Sequence, residues 1–239
     1  MARGRVITLD ALGTLVSLDD PVPRLVAGLA ARGAAVTEAQ AGAALAEEIA
    51  FYRAGHDAAV DATSLARLRA RCAAVLRAGL ERAGADVRAV DAPALVEALL
   101  GALRFEPYAE VPGVLAELRA AGHRLIVVSN WDVSLHEMLD TTGLRALVDG
   151  AISSAEAGAR KPEPALFRRA LALAGARVGD RAGDRRPPLH AGDSLELDVA
   201  GARAAGLEAV LVARDGVPDR VPAGVVVLES LDGLAALAA

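Results

Sequence analysis

Short apolar runs recur at residues 5–9, 124–129, 189–191, 209–212 and 225–228, with a weaker one at 150–153. Helical patterns at 111–121, 134–139, 164–174, 195–205 and 231–238 separate most of them. Alternation of this kind predicts an α/β fold: a doubly wound, Rossmann-like parallel sheet covered by helices on both faces. In such sheets ligands meet the carboxyl ends of strands, near the point where strand order reverses. The first strand breaks the rhythm, because no convincing strand follows Leu18 until the chain nears residue 105. That stretch reads as helices near 23–32, 38–53, 64–84 and 93–103, with stops and starts at Gly33, 55–61, Gly84 and 91–93. The expected division is an α/β core of residues 1–17 and 106–239 carrying an inserted all-helical cap of residues 18–105. Linkers at 16–20 and 105–112 are the expected hinges. The loop 176–188, rich in Gly, Arg, Asp and Pro, reads as a solvated connection.

Composition narrows the partners. Apolar residues make up 54% of the 239, enough for a sizeable core. A net charge of −5 gives no reason to expect nucleic acid or an anionic membrane as partner. Cys72 is the one cysteine, so no intramolecular disulfide forms, and a reducing compartment is the natural setting. Its helical, Ala- and Leu-rich surroundings mark it as a small buried hydrophobe. The start of the chain does not read as a signal peptide, and no apolar run is long enough to span a bilayer. A cytoplasmic protein without membrane contact is expected, with monomer and homodimer both open. All but one of the 26 basic residues are Arg, and an Arg-rich coding bias accounts for most of that. The exception, Lys161, carries a compact ammonium that a guanidinium does not imitate.

Four segments place polar side chains at strand ends. RVITLDALGTLV delivers Asp10, with Thr14 just beyond; LIVVSN delivers Ser129 and Asn130; ARKPEP holds Lys161; PLHAGDS closes on Asp193, with Asp198 a helical turn on. Singly each is commonplace, because an Asp or Gly-Asp-Ser after a strand usually caps a helix or makes a turn. Together, in this order, the segments DALGT, VVSN, RKPEPALF and GDSLELDVAGARAAG resemble the haloacid dehalogenase-like hydrolase superfamily, and the resemblance covers nearly the whole chain.

The resemblance implies roles. Asp10 is the expected nucleophile, forming a covalent intermediate that water hydrolyses. Thr14, Ser129 and Lys161 are expected to hold phosphoryl oxygens, with Asn130 among the substrate-binding residues. Mg2+ is the implied cofactor, held by Asp10, Asp193 and the backbone carbonyl of Leu12, since a carbonyl serves whatever side chain it carries. Asp198 is expected to pair with Lys161 or sit behind the metal ligands. The implied partner is a small phosphorylated molecule.

Leu12 departs from the pattern. Most phosphatases of the superfamily carry Asp there, as the acid–base group, and losing such a group typically costs roughly 10²–10⁴ in rate. The chain resembles a subgroup that also lacks this second Asp, so the leading reading is a Mg2+-dependent phosphatase-type hydrolase with weak or unusual acid–base catalysis. One alternative is an L-2-haloacid dehalogenase-like hydrolase working without metal, though Asp193 and Phe167 stand where that branch has other residues. A second is a catalytically silent binding protein on the same fold. A phosphonatase-like reading fails because residues 16–104 contain no lysine for a Schiff base.

Other polar residues read more plainly. His56 is a titrating candidate for the missing acid, with a solvated loop histidine the simpler reading. His123 and His136 read as helix-end or surface residues, and His190 as a buried hydrogen-bonded one. Arg24, Arg53 and Arg69 read as polar helix faces, with contact to an anionic substrate as the alternative. Trp131 reads equally as core or as the lining of an entrance.

Overall fold

The computed structural model describes residues 4–176 and 187–238. The 176–188 loop therefore lies almost wholly outside the described residues. Strand β1 (Val6–Leu9) is followed by β2 (Val16–Asp19) and helices α1 (Pro21–Ala30), α2 (Glu38–Gly55), α3 (Ala62–Arg82) and α4 (Ala92–Ala102). Then come β3 (Arg104–Pro107), α5 (Val111–Ala120), β4 (Arg124–Ser129), α6 (Leu135–Thr141), β5 (Gly150–Ser153), α7 (Ser154–Ala157) and α8 (Pro164–Leu173). The chain closes with β6 (Leu189–Gly192), a π-helical stretch Leu195–Ala200 running into α9 (Gly201–Ala204), β7 (Glu208–Val212), β8 (Val226–Leu228) and α10 (Leu234–Ala238). The described residues fall into two compact units, one made of residues before Leu18 and after Phe105, the other of Leu18–Phe105.

The larger unit is an α/β core around a six-stranded sheet in the order β5-β4-β1-β6-β7-β8. Its ladders are parallel, with Leu9 opposite Val127 on one side and Ala191 on the other. Parallel strands are covered on both faces and so read as near-continuous apolar runs. RLIVVS and EAVLV obey this, each buried along its length after the first residue. From β1 the chain builds outward to β4 and β5 on one side, then to β6, β7 and β8 on the other. The reversal puts the carboxyl ends of β1, β4 and β6 side by side.

Sequence periodicity did not reveal β2 and β3, which pair as a separate two-stranded sheet in the segments expected to be linkers. They are four residues long and half exposed, so they carry little apolar signal. The stretch expected as one helix over 195–205 is instead π-helical through Ala200, with the Val199 amide reaching back to the Ser194 carbonyl at 3.0 Å. Such widened turns often occur at functional sites.

The smaller unit is helical and has its own core, in which Leu25, Leu29, Leu76, Leu80, Leu95 and Leu99 are buried. Its helix starts follow from local chemistry. Asp20 and Asp91 cap α1 and α4, and capping boxes Thr37/Gln40 and Asp61/Ser64 open α2 and α3. His56 is only 3% exposed and lies 5.2 Å, ring to ring, from Tyr52, which corrects the reading of a solvated loop histidine. Cys72 is buried, as its sequence context implies. Arg24 pairs with Asp19 on the surface of this unit.

Candidate active site

Asp10 follows β1, its amide donating to the Ala191 carbonyl of β6 at 2.9 Å. Strand alternation puts Thr8 and Asp10 on the same face, and both are buried. Asp10 Oδ1 accepts from Ser129 Oγ at 3.1 Å and from Lys161 Nζ. Ser129 ends β4 and Lys161 lies in the loop before α8, so three separated segments converge on one carboxylate.

Lys161 is 3% exposed and also donates to Asp198 Oδ1 at 2.6 Å. Asn130 fixes the backbone beneath it: Asn130 Oδ1 accepts from the Lys161 amide at 2.7 Å, and Asn130 Nδ2 donates to the Lys161 carbonyl at 3.1 Å. Both ends of that carboxamide are thus engaged with the Lys161 backbone. Trp131 is buried, and its indole donates to Ser134 Oγ at 3.3 Å, a core placement.

Asp198 is fully buried and held from several sides. Its Oδ1 meets His190 Nε2 at 3.0 Å as well as Lys161, while Oδ2 accepts from the Ser194 amide at 3.0 Å. His190 Nδ1 lies 2.9 Å from Thr8 Oγ1, and the Phe167 ring meets the imidazole edge-on at 5.0 Å. A carboxylate only accepts, so Nε2 carries a proton and the histidine is a donor to Asp198. Gly192 makes room for this packing, since a Cβ there would collide with the Asp198 carboxylate. The reading of His190 as buried and hydrogen-bonded holds. His123 accepts the Arg5 amide at 3.0 Å, and His136 meets Glu156 at 2.8 Å in the first turn of α6.

Asp193 stands exposed beside the buried groups. Oxygens of Asp10, Asp193 and Asp198 lie within 4.8 Å of one another. Gly13, at φ +82°, passes so close to Asp193 that a Cβ would overlap its carboxylate, and no other residue type adopts that backbone freely. Thr14 is fully buried, and among the described residues its Oγ1 has no hydrogen-bond partner.

The charges sort the three carboxyls. Burial drives Asp10 up, Lys161 opposes it and Asp198 adds to it, leaving its pKa above the usual carboxylate range. Burial would raise Asp198 too, but Lys161 and His190 outweigh it and hold that group well below the range. Burial works against the Lys161 ammonium, yet Asp10 and Asp198 more than compensate and its pKa rises. Asp193 makes no hydrogen bond to Lys161: partial burial of its carboxyl, then the charges of Asp10 and Asp198, outweigh the pull of that ammonium and push it up to about 7. Three carboxyls face one ammonium, so the cluster lacks positive charge.

That imbalance suits a divalent cation. Asp198 has both oxygens engaged, whereas Asp10 Oδ2 and the Asp193 carboxylate stand free of the bonds described above. These are hard oxygen donors of the kind Mg2+ takes alongside water. Sequence reasoning missed Thr8 and Ser194 as parts of the network. Thr8, a polar residue two before Asp10 in an otherwise apolar strand, was the available signal.

The chain is similar to haloacid dehalogenase-like hydrolase domain-containing protein 3 of Bos taurus, 42% identical over 95 residues covering 40% of this chain and 35% of that protein. It is also similar to phosphoserine phosphatase of Thermus thermophilus, 37% identical over 148 residues covering 61% and 55% of the two chains. It thus spans less than two thirds of either relative. Among solved structures, a defluorinating L-2-haloacid dehalogenase superposes with a TM-score of 0.73 at 22% identity, covering 98% of this chain and 95% of that one, a likeness of fold. The haloacid dehalogenase-like hydrolase family description matches residues 5–206, and the chain belongs to that family.

Proposed function

We propose that this hydrolase is a Mg2+-dependent phosphatase of the subgroup lacking the second Asp, acting on a small phosphorylated molecule through an aspartyl-phosphate on Asp10. The observation that carries the reading is the bridging ammonium: Lys161 engages Asp10 and Asp198 together and so fixes the Asp10 carboxylate at the carboxyl edge of the sheet. Relatives named as phosphatases, for phosphoserine and for phosphoglycolate, support the reaction class.

In this mechanism a carboxylate oxygen of Asp10 displaces the leaving oxygen and forms the P–O bond of the acyl phosphate. Ser129, Lys161 and the unpartnered Thr14 hydroxyl hold the transferring group, and Asp198 keeps the ammonium in place. Asn130 acts one step back, fixing the Lys161 backbone. Bound at Asp10, Asp193 and the Leu12 carbonyl, Mg2+ would supply Lewis-acid charge and bring two anions together. Water then attacks the acyl phosphate, freeing phosphate and regenerating Asp10. Leu12 protonates nothing, so the leaving oxygen departs as an anion, which favours aryl or acyl phosphates over alkyl ones.

A phosphatase panel with and without EDTA tests the reading. Hydrolysis of an aryl phosphate that disappears in EDTA and in Asp10→Asn supports it. Halide release from a 2-haloacid in EDTA, without phosphatase activity, replaces it with the metal-free dehalogenase.

A further inference from the structure

We propose that Arg214, in the loop after β7, is a positioning residue for the nucleophile loop, acting on it through the carbonyl of Thr14. The loop after Asp10 is a tight turn around the Ala11 carbonyl, which accepts from the amides of Thr14, Leu15 and Val16 at 3.3, 2.8 and 3.0 Å. The Gly13 amide closes it onto the Val16 carbonyl at 2.8 Å. Two outward carbonyls tie this turn to the rest of the core. Leu15 accepts from the Tyr108 amide at 3.1 Å, and Thr14 accepts from Arg214 Nη2 at 2.7 Å.

The guanidinium is itself held on every side that matters. The same Nη2 donates to Glu110 Oε1 at 2.7 Å, and that oxygen also accepts from the Leu231 amide at 3.3 Å. The guanidinium carbon lies 3.5 Å from the centroid of the Tyr108 ring. Tyr108 thus grips the turn twice, by its own amide and by the cation stacked on its ring. The side chains of Arg214 and Glu110 are only 12% and 17% exposed, so the pair is not a solvated surface contact of little consequence. Glu110 also neutralises the cation, which argues for a structural clamp over a landing point for a phosphate.

An arginine suits this place because its planar guanidinium lies flat over the Tyr108 ring while Nη2 reaches both acceptors, and an ammonium has no such face to stack. Thr14 carries the buried hydroxyl left without a partner, and it is four residues from Asp10 in the same turn. Releasing its carbonyl frees both groups to shift, and misplacement of about 1 Å costs roughly 10² in rate. Arg214 Nε is buried and has no hydrogen-bond partner among the described residues. Beside the side chain lies a cavity of about 120 Å³ lined by Gly13, Tyr108, Asp193, Asp215 and Gly216 among others. Truncating Arg214 would join its vacated volume to that space and admit a free guanidinium.

The kinetic arm of the test rests on the phosphatase reading; a second arm does not. In Arg214→Ala, kcat for an aryl phosphate should fall roughly 10²-fold with KM nearly unchanged. Millimolar methylguanidinium should restore part of it, whereas Arg214→Lys should recover little. A variant that is merely destabilised would lose further activity in guanidinium instead. Hydrogen exchange on the peptide spanning residues 10–17 reads the clamp without any turnover. Exchange should quicken by about tenfold in Arg214→Ala, the loss of one charged hydrogen bond, and slow again with methylguanidinium. If wild type hydrolyses nothing, the phosphatase reading fails while the exchange arm still decides the clamp. Unchanged exchange in residues 10–17, or uniform loss of protection across the core, overturns the role of Arg214.

Discussion

Lys161 Nζ lies 2.6 Å from Asp198 Oδ1 and also binds Asp10 Oδ1, and none of the three residues is more than 5% exposed. One ammonium therefore couples the proposed nucleophile to a carboxylate that Ser194 and His190 hold in place.

Removing that ammonium should be costly. Lys161→Met leaves two buried carboxylates facing each other, and breaking a buried ion pair from one side typically costs about 3–5 kcal/mol. The midpoint of urea unfolding should fall accordingly, and aryl phosphate turnover should vanish. Lys161→Arg should rescue neither, because a planar fork does not occupy the space of a point ammonium between Asp10 and Asp198.

His190 should matter through Asp198. His190→Leu removes a buried donor to that carboxylate and leaves the Thr8 hydroxyl with the Leu189 carbonyl alone, a loss of about 1–3 kcal/mol. His190→Gln, which keeps an N–H for Asp198, should recover most of it. Urea unfolding of the two variants at neutral pH checks the difference.

The sheet was readable because buried parallel strands write continuous apolar runs, and 124–129 and 150–153 coincide with β4 and β5. The helices of Leu18–Phe105 were legible from breaks at Gly33, residues 55–61, Gly84 and residues 91–93, and in the structure Asp20, Thr37, Asp61 and Asp91 cap their starts. The strand ends pointed to Asp10, Ser129, Lys161 and Asp193 as one group, with Asp198 as a partner of Lys161; direct contacts join Asp10, Ser129, Lys161 and Asp198, and Asp193 lies beside them, its carboxylate within 4.8 Å of those of Asp10 and Asp198. What stayed hidden depends on three-dimensional partners. The burial of His56 comes from packing beside Tyr52, and the grip of Arg214 on Thr14 spans 200 residues. In a chain where nearly every cation is arginine, nothing in the sequence distinguishes that one.

If Asp193 helps to hold Mg2+ as proposed, metal stabilisation should depend on pH. Its pKa is raised from 3.8 to about 7, so its contribution to stability is complete below the unfolded value and is lost as pH rises through about 7. A divalent cation that binds the ionised carboxylate restores it by mass action. The increase in Tm on adding Mg2+ should therefore be larger at about pH 8 than at about pH 5. Asp193→Asn should abolish most of that increment and flatten the pH dependence through neutrality. Thermal scans with and without EDTA at both pH values check it.

Leu12 should be the limiting defect for poor leaving groups. Leu12 is 37% exposed, so a carboxylate is tolerated at that position. Leu12→Asp supplies the missing acid, and general acid–base catalysis typically contributes about 10²–10⁴. Turnover of an alkyl phosphate should rise by a substantial part of that range, and that of an aryl phosphate by much less. Equal changes for both substrates would place the defect elsewhere.

The most direct measurement is mass spectrometry of protein quenched in acid during turnover of an aryl phosphate with Mg2+. A phosphoryl group on the peptide containing Asp10, absent in Asp10→Asn and in EDTA, is the predicted result. Turnover with no adduct on that peptide, or an adduct on another residue, would contradict nucleophilic attack by Asp10.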